Sequence, residues 1–166
     1  VLSASYGRTY GYRYSVSPEK GRRLGVNVSF YEPHLGSDFR LLSVTWAYQE
    51  YVPMPWLSNH VLSLRLAGGI ARGDLNRRGL FTVGGLPNQD LLQAVLDVAP
   101  VGGNFLRGYP SAAMWGDQYH LLNVEYRLPI TYINWAPWTL PVYFRRLSGA
   151  VFTDVGAAFF GTLDRE

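Results

Sequence analysis

Hydrophobic and polar residues alternate with a period of two along six stretches of the chain, the signature of strands whose two faces meet different surroundings. In the first, Tyr6, Arg8, Tyr10, Tyr12, Tyr14 and Val16 oppose Ser5, Gly7, Thr9, Gly11, Arg13 and Ser15. The second sets Leu24, Val26, Val28 and Phe30 against Gly25, Asn27, Ser29 and Tyr31. The third sets Leu42, Val44, Trp46 and Tyr48 against Ser43, Thr45, Ala47 and Gln49. In the fourth, Leu62, Leu64 and Leu66 lie opposite Ser63, Arg65, Ala67 and Gly69. In the fifth, Leu122, Val124, Tyr126, Leu128 and Ile130 lie opposite Asn123, Glu125 and Arg127. The sixth, from Leu147 to Phe159, places Leu147, Val151, Thr153 and Val155 on one face and Ser148, Ala150, Phe152, Asp154 and Gly156 on the other.

The connections make neighbouring strands antiparallel. Ser17-Pro18-Glu19-Lys20-Gly21 and the run from Glu32 to Asp38 read as short turns. Pro53, Pro55 and Trp56 mark the turn after the third strand, and Trp135, Pro137, Trp138 and Pro141 the connection after the fifth. Counting up and down puts these Trp residues on one side, which fits the aromatic belt of a membrane interface; the alternative is that they cover the end of a soluble core. Stretches of about 9 to 12 residues match a tilted strand crossing a bilayer. The polar faces carry mostly Gly, Ala, Ser, Thr and Asn, where a water-facing sandwich would carry Lys and Glu. Alternation by itself leaves two architectures open, a membrane barrel and a soluble all-β binding module.

Between the fourth and fifth strands, residues 73–119 read as one long loop with Gly84-Gly85, Gly102-Gly103 and Leu106-Arg107-Gly108-Tyr109, and with a helical turn or two over Leu91 to Val98. Loops of that length inside a domain are usually functional. Composition agrees with β structure: 18 Gly, 12 Tyr, 8 Phe and 5 Trp favour turns and aromatic-rich strands, and zero Cys removes disulfides and thiolate metal sites. The 15 basic residues are scattered and the formal charge is only +3, which argues against a nucleic-acid partner. No apolar run approaches the roughly 20 residues of a membrane-spanning helix, and nothing at the start resembles a signal peptide.

Three motifs together resemble the barrel of the bacterial surface antigen superfamily, which contains BamA-type outer-membrane assembly factors and two-partner secretion transporters. They are Gly-Gly followed by Leu106-Arg107-Gly108-Tyr109, the run Asn123-Val124-Glu125-Tyr126-Arg127-Leu128-Pro129, and Phe152-Thr153-Asp154-Val155-Gly156. The resemblance implies a partial transmembrane β-barrel over residues 1–166, about six strands of a larger barrel of about 16. In that family the equivalent loop folds back into the lumen and its Arg meets acids on the next two strands, which makes Glu125 and Asp154 the expected partners of Arg107, with Phe152 and Gly156 supporting the strand motif. Both acids share the lumen-facing parity, and a guanidinium in a partly desolvated lumen needs such carboxylates. With last strands and periplasmic repeats missing, the chain reads as a fragment.

The implied role is outer-membrane protein assembly, insertion or polypeptide translocation in the bacterial outer membrane, without catalytic residues, cofactor or enzymatic chemistry. Outer-membrane lipids, client polypeptides and accessory assembly proteins are the expected partners. An alternative is an anchor or export barrel for a fused soluble domain such as a patatin-like lipase or a periplasmic propeller, and a third is a passive pore or adhesion barrel. Other chemistry finds little support: His34, His60 and His120 are isolated from one another, without metal-ligand spacing. No nucleophile elbow, phosphate loop or dinucleotide fingerprint is present. Asp74, Asp97, Asp117 and Asp164 read as solvated loop residues, and the sequon Asn27-Val28-Ser29 lies within a strand.

Overall fold

The computed structural model describes residues 1–12, 15, 17–73, 80–85, 106–136 and 142–161. Among these residues eight strands follow in chain order: β1 (Leu2–Tyr10), β2 (Lys20–Tyr31), β3 (Leu41–Pro53), β4 (Val61–Gly73), β5 (Phe81–Val83), β6 (Met114–Gly116), β7 (Gln118–Trp135) and β8 (Phe144–Phe159). Six of them form one antiparallel sheet in the order β1-β2-β3-β4-β7-β8, and β5 and β6 pair as a separate ribbon. The short connections after β1, β2, β3 and β7 return the chain antiparallel, and β7 pairs antiparallel with β4 across the long connection.

Each of the six alternating stretches contains a strand; five run longer than the alternation indicated, whereas the first ends at Tyr10, leaving Gly11 and Tyr12, which also alternate, outside β1. Lys20 and Gly21, expected in a turn, already pair with Tyr10 and Thr9. Gly21 adopts φ 121 there, a backbone conformation that side chains disfavour. β7 continues to Trp135 past a register shift between Pro129 and Thr131, where the proline nitrogen has no hydrogen to donate and the ladder slips. Arg13, Tyr14, Val16, Asp74, Leu91 to Val98, Gly102-Gly103, Pro137, Trp138, Pro141 and Asp164 lie outside the described residues.

Register sorts the side chains into two faces. Ser5, Gly25, Ala47, Ala67, Leu121 and Gly156 form one row across the sheet, and Gly7, Arg23, Gln49, Arg65, Asn123 and Asp154 form the next. Apart from Leu121, these two rows of the inner face are small, polar or charged. The outer face carries Leu24, Phe30, Leu42, Leu66, Ile70, Val151 and Val155, all exposed. On that face the Trp46 indole lies over Gly68, so close that a Cβ on Gly68 would fall 2.7 Å from it.

Between β4 and β7 the described residues of the long connection, 80–85 and 106–117, carry a short ribbon. β4 runs through Gly73, β7 begins at Gln118, and the ribbon β5–β6 stands between them. The ribbon packs on the inner face, where Ala47, Ala67, Val83, Leu106, Tyr119 and Leu121 form the buried core with Phe81, Met114 and Ala158 against it. Gly69 makes room for this packing, because a Cβ there would sit 2.5 Å from the Tyr119 ring and 3.0 Å from Phe81. Asp117 corrects the expectation of a solvated residue. It is buried; its carboxylate accepts the Gly161 amide at 2.8 Å and its carbonyl accepts the Ala71 amide at 2.8 Å. These bonds clamp the start of β7 between β4 and the end of β8.

Among the described residues the sheet is open: β1 and β8 each pair on one side only. It is nonetheless strongly coiled, since Arg146 Nη1 on β8 donates to the Ser15 carbonyl in the β1–β2 connection, joining the two sheet edges at one end. Trp56 and Trp135 lie at that same end, where Asn59 Nδ2 donates to the Tyr132 hydroxyl at 2.9 Å and His60 Nδ1 meets the Tyr126 hydroxyl at 2.8 Å.

Candidate functional site: a loop arginine seated on two strand carboxylates

Leu106 to Tyr109 form a β-turn, closed by the Tyr109 amide donating to the Leu106 carbonyl at 3.3 Å. The third position of such a turn needs positive φ, which Gly108 supplies at 89°. The turn therefore presents Arg107 at its second position. Leu106 anchors it: its side chain is 2% exposed within the core, an apolar burial worth about 1.5 to 3 kcal/mol. Tyr109 points away and is exposed.

The Gly84-Gly85 pair fixes this turn from the other side. The Leu106 amide donates to the Gly84 carbonyl at 2.5 Å, and the Gly85 amide donates to the Pro110 carbonyl at 2.9 Å. A Cβ on Gly84 would collide with the Pro110 carbonyl and lie 2.6 Å from the Ala112 nitrogen, and one on Gly85 would collide with the Tyr109 carbonyl. Two glycines are thus required for the end of β5 to run beside the turn.

Arg107 spans two strands. Its Nε donates to Asp154 Oδ2 and its Nη2 to Asp154 Oδ1, both at 2.8 Å, while Nη1 donates to Glu125 Oε2 at 2.7 Å. The Arg107 backbone amide adds a bond to Asp154 Oδ2 at 3.0 Å. Asn123, opposite Asp154 in the ladder, donates its Nδ2 to Oδ1 at 2.8 Å, so each Asp154 oxygen accepts two donors. Arg127 Nε donates to Glu125 Oε1 at 2.6 Å. Beneath the guanidinium, the Phe152 ring centroid lies 3.7 Å from Arg107 Cζ, a cation–π stack. Gly156 leaves the space taken by Leu121, whose Cδ1 would be 2.8 Å from an added Cβ, with Leu106 Cδ1 at 3.5 Å.

Within the hydrogen-bonded cluster the guanidinium groups of Arg107 and Arg127 balance the carboxylates of Glu125 and Asp154, and Arg65 lies in the same row of the sheet as Asp154. Asp154 is the most enclosed, with a side chain 3% exposed, against 19% for Glu125 and 34% for Arg107. Hydrogen bonding to Asp154, opposed by partial burial, raises the Arg107 pKa above its ordinary value, and the residue stays charged at any accessible pH. A planar side-on pair of this kind fixes direction as well as distance, which a lysine could not do. The arrangement is a latch, holding one point of the long connection against β7 and β8.

The structure brings together Leu106, Arg107, Glu125, Phe152, Asp154 and Gly156, with Gly108 shaping the turn and Tyr109 apart from the cluster. Sequence reasoning passed over Asn123 and Arg127 as members of the site. Both sit two residues from Glu125 on the same strand face, and that parity was the available signal. Among the described residues no group of His, Asp and Glu could hold a metal ion.

A family model described as the Omp85 superfamily domain matches residues 2–165. No curated protein matches the chain. The chain belongs to the Omp85 superfamily, the group its three motifs resemble, whose members are outer-membrane proteins of membrane-protein assembly and translocation.

Proposed function

We propose, with membership of the Omp85 superfamily as the premise, that the chain is part of the transmembrane barrel of a factor that inserts proteins into the bacterial outer membrane or passes polypeptide across it. The observation that carries this reading is the seated Arg107, which fixes the long connection on the inner face through Asp154 and Glu125. The exposed apolar outer face supports a lipid environment, because soluble monomers rarely expose apolar surface that continues from strand to strand across a sheet. In hydrocarbon the one-sided edges of β1 and β8 require partners, and further strands of a larger barrel of about 16 would supply them.

In this reading the work is mechanical and electrostatic, with no bond made or broken. Lipids contact the outer face, client polypeptides and accessory proteins meet the barrel, and the latched connection braces the wall from within. Replacement of the parent protein by its Arg107→Ala variant tests it in cells. Loss of folded outer-membrane proteins at unchanged variant abundance supports assembly, and loss of a secreted partner polypeptide alone supports translocation. A folded variant that supports both processes like wild type would refute the role given to the latch.

A further inference from the structure

A second group of charges lies on the opposite face, at the end nearest the β1–β2 connection. Arg8 on β1 stands directly opposite Arg22 on β2, and Lys20 is paired with Tyr10 one outward position further on. All three cations are exposed. Directly opposed side chains have Cβ atoms about 5 Å apart, and like charges placed so are destabilising. Lys20 follows Arg22 at about 7 Å along the same strand face. The sheet does not neutralise them. Glu50, opposite Arg22 on β3, accepts the Tyr48 hydroxyl on its Oε2 at 2.8 Å. Among the described residues none of the three cations has an ion pair within the salt-bridge distance. Three cations against one carboxylate leave a net charge of +2 on the patch.

Its position is informative. From the patch toward the other end, the outer face continues as Tyr6, Leu24, Val26, Val28 and Phe30, without another charge on β2. The Arg8 guanidinium lies 5.2 Å from the Tyr10 ring centroid, and Tyr48 borders the patch on β3, the amphipathic company found where hydrocarbon gives way to headgroups. We infer that Arg8, Lys20 and Arg22 form a binding patch for the phosphate of an anionic phospholipid, whose acyl chains lie along the apolar face of β1 and β2. A phosphate between Arg8 and Arg22 relieves their repulsion and accepts forked hydrogen bonds from both. The inference rests on the membrane reading above.

The test uses the intact parent protein in neutral detergent, given equal amounts of dioleoyl phosphatidylglycerol and dioleoyl phosphatidylethanolamine, with retained lipid counted by native mass spectrometry. Wild type should retain phosphatidylglycerol preferentially, and each cation replaced by Gln should reduce the preference by about fivefold, the effect of one basic residue at an anionic surface. Arg72→Gln, at the far end of the same face, should leave it unchanged. Glycerol phosphate without acyl chains should not displace the lipid. Heat-modifiable migration checks that each variant is folded, and because Arg22→Gln removes a repulsion it should fold at least as well as wild type. Equal retention of both lipids by wild type, or an equal loss in Arg72→Gln, overturns the patch while sparing the membrane reading. Retention of no lipid of either kind overturns both.

Discussion

Replacing Asp154 by Asn should damage the latch far more than replacing Glu125 by Gln, although each change removes one negative charge. Asp154 accepts four hydrogen bonds, two on each oxygen. An amide can accept on only one oxygen, so whichever way it is oriented it keeps two of these bonds and turns its NH₂ toward the other two donors. A bond to a charged group contributes about 1.5 to 3 kcal/mol, which puts the loss of two at about 3 to 6 kcal/mol. Arg107 is a third exposed, and water recovers part of this; about 3 kcal/mol is expected. Glu125 is more open, and in Gln the remaining oxygen can still accept from Arg107 or Arg127, so about 1 kcal/mol should be lost. Urea unfolding of the parent protein reconstituted in lipid vesicles, followed by Trp fluorescence, measures both. Equal costs, or a larger cost for Glu125→Gln, would show that the hydrogen-bond arrangement at Asp154 does not govern the latch.

Gly108→Ala forces a Cβ into a φ of 89° and should cost about 1 to 2 kcal/mol by the same unfolding measurement, with Arg107 displaced from the acids. Gly84→Ala places a Cβ against the Pro110 carbonyl and the Ala112 nitrogen; faster proteolytic cleavage within the long connection of the folded protein is expected, while the sheet stays intact. Val151→Lys, on the outer face where Val151 is 69% exposed, should cost about 2 to 4 kcal/mol in vesicles if that face meets the bilayer near its midplane. A cost near zero there would place Val151 in water.

How much of this was legible in the sequence depends on length and parity. The six long strands are legible because each repeats its two-residue period several times, though the first alternation runs on past Tyr10, where β1 ends, and parity alone places Glu125 and Asp154 on one face. The ribbon did not, since Phe81-Thr82-Val83 and Met114-Trp115-Gly116 are too short to show a period. Strand ends were hidden where Lys20 and Gly21 looked like a turn and where Pro129 interrupts the ladder. Asp117 was misread because burial of a carboxylate in a loop depends on which distant amides reach it, here that of Gly161, and spacing carries no trace of that. The Gly84-Gly85 pair could be seen as a motif, but its reason, the close approach of Tyr109 and Pro110, exists only in three dimensions.

A charge swap across the latch, in the parent protein in cells, reaches the central claim most directly. Arg107→Glu and Asp154→Arg, each alone, put like charges together and should abolish heat-modifiable migration and outer-membrane function. Combined, they keep one cation between two carboxylates, with Glu125 as the second, and should restore both properties substantially. A double variant no better than the worse single, or single variants that behave as wild type, would contradict the account that Arg107 holds the connection on the inner face through Asp154 and Glu125.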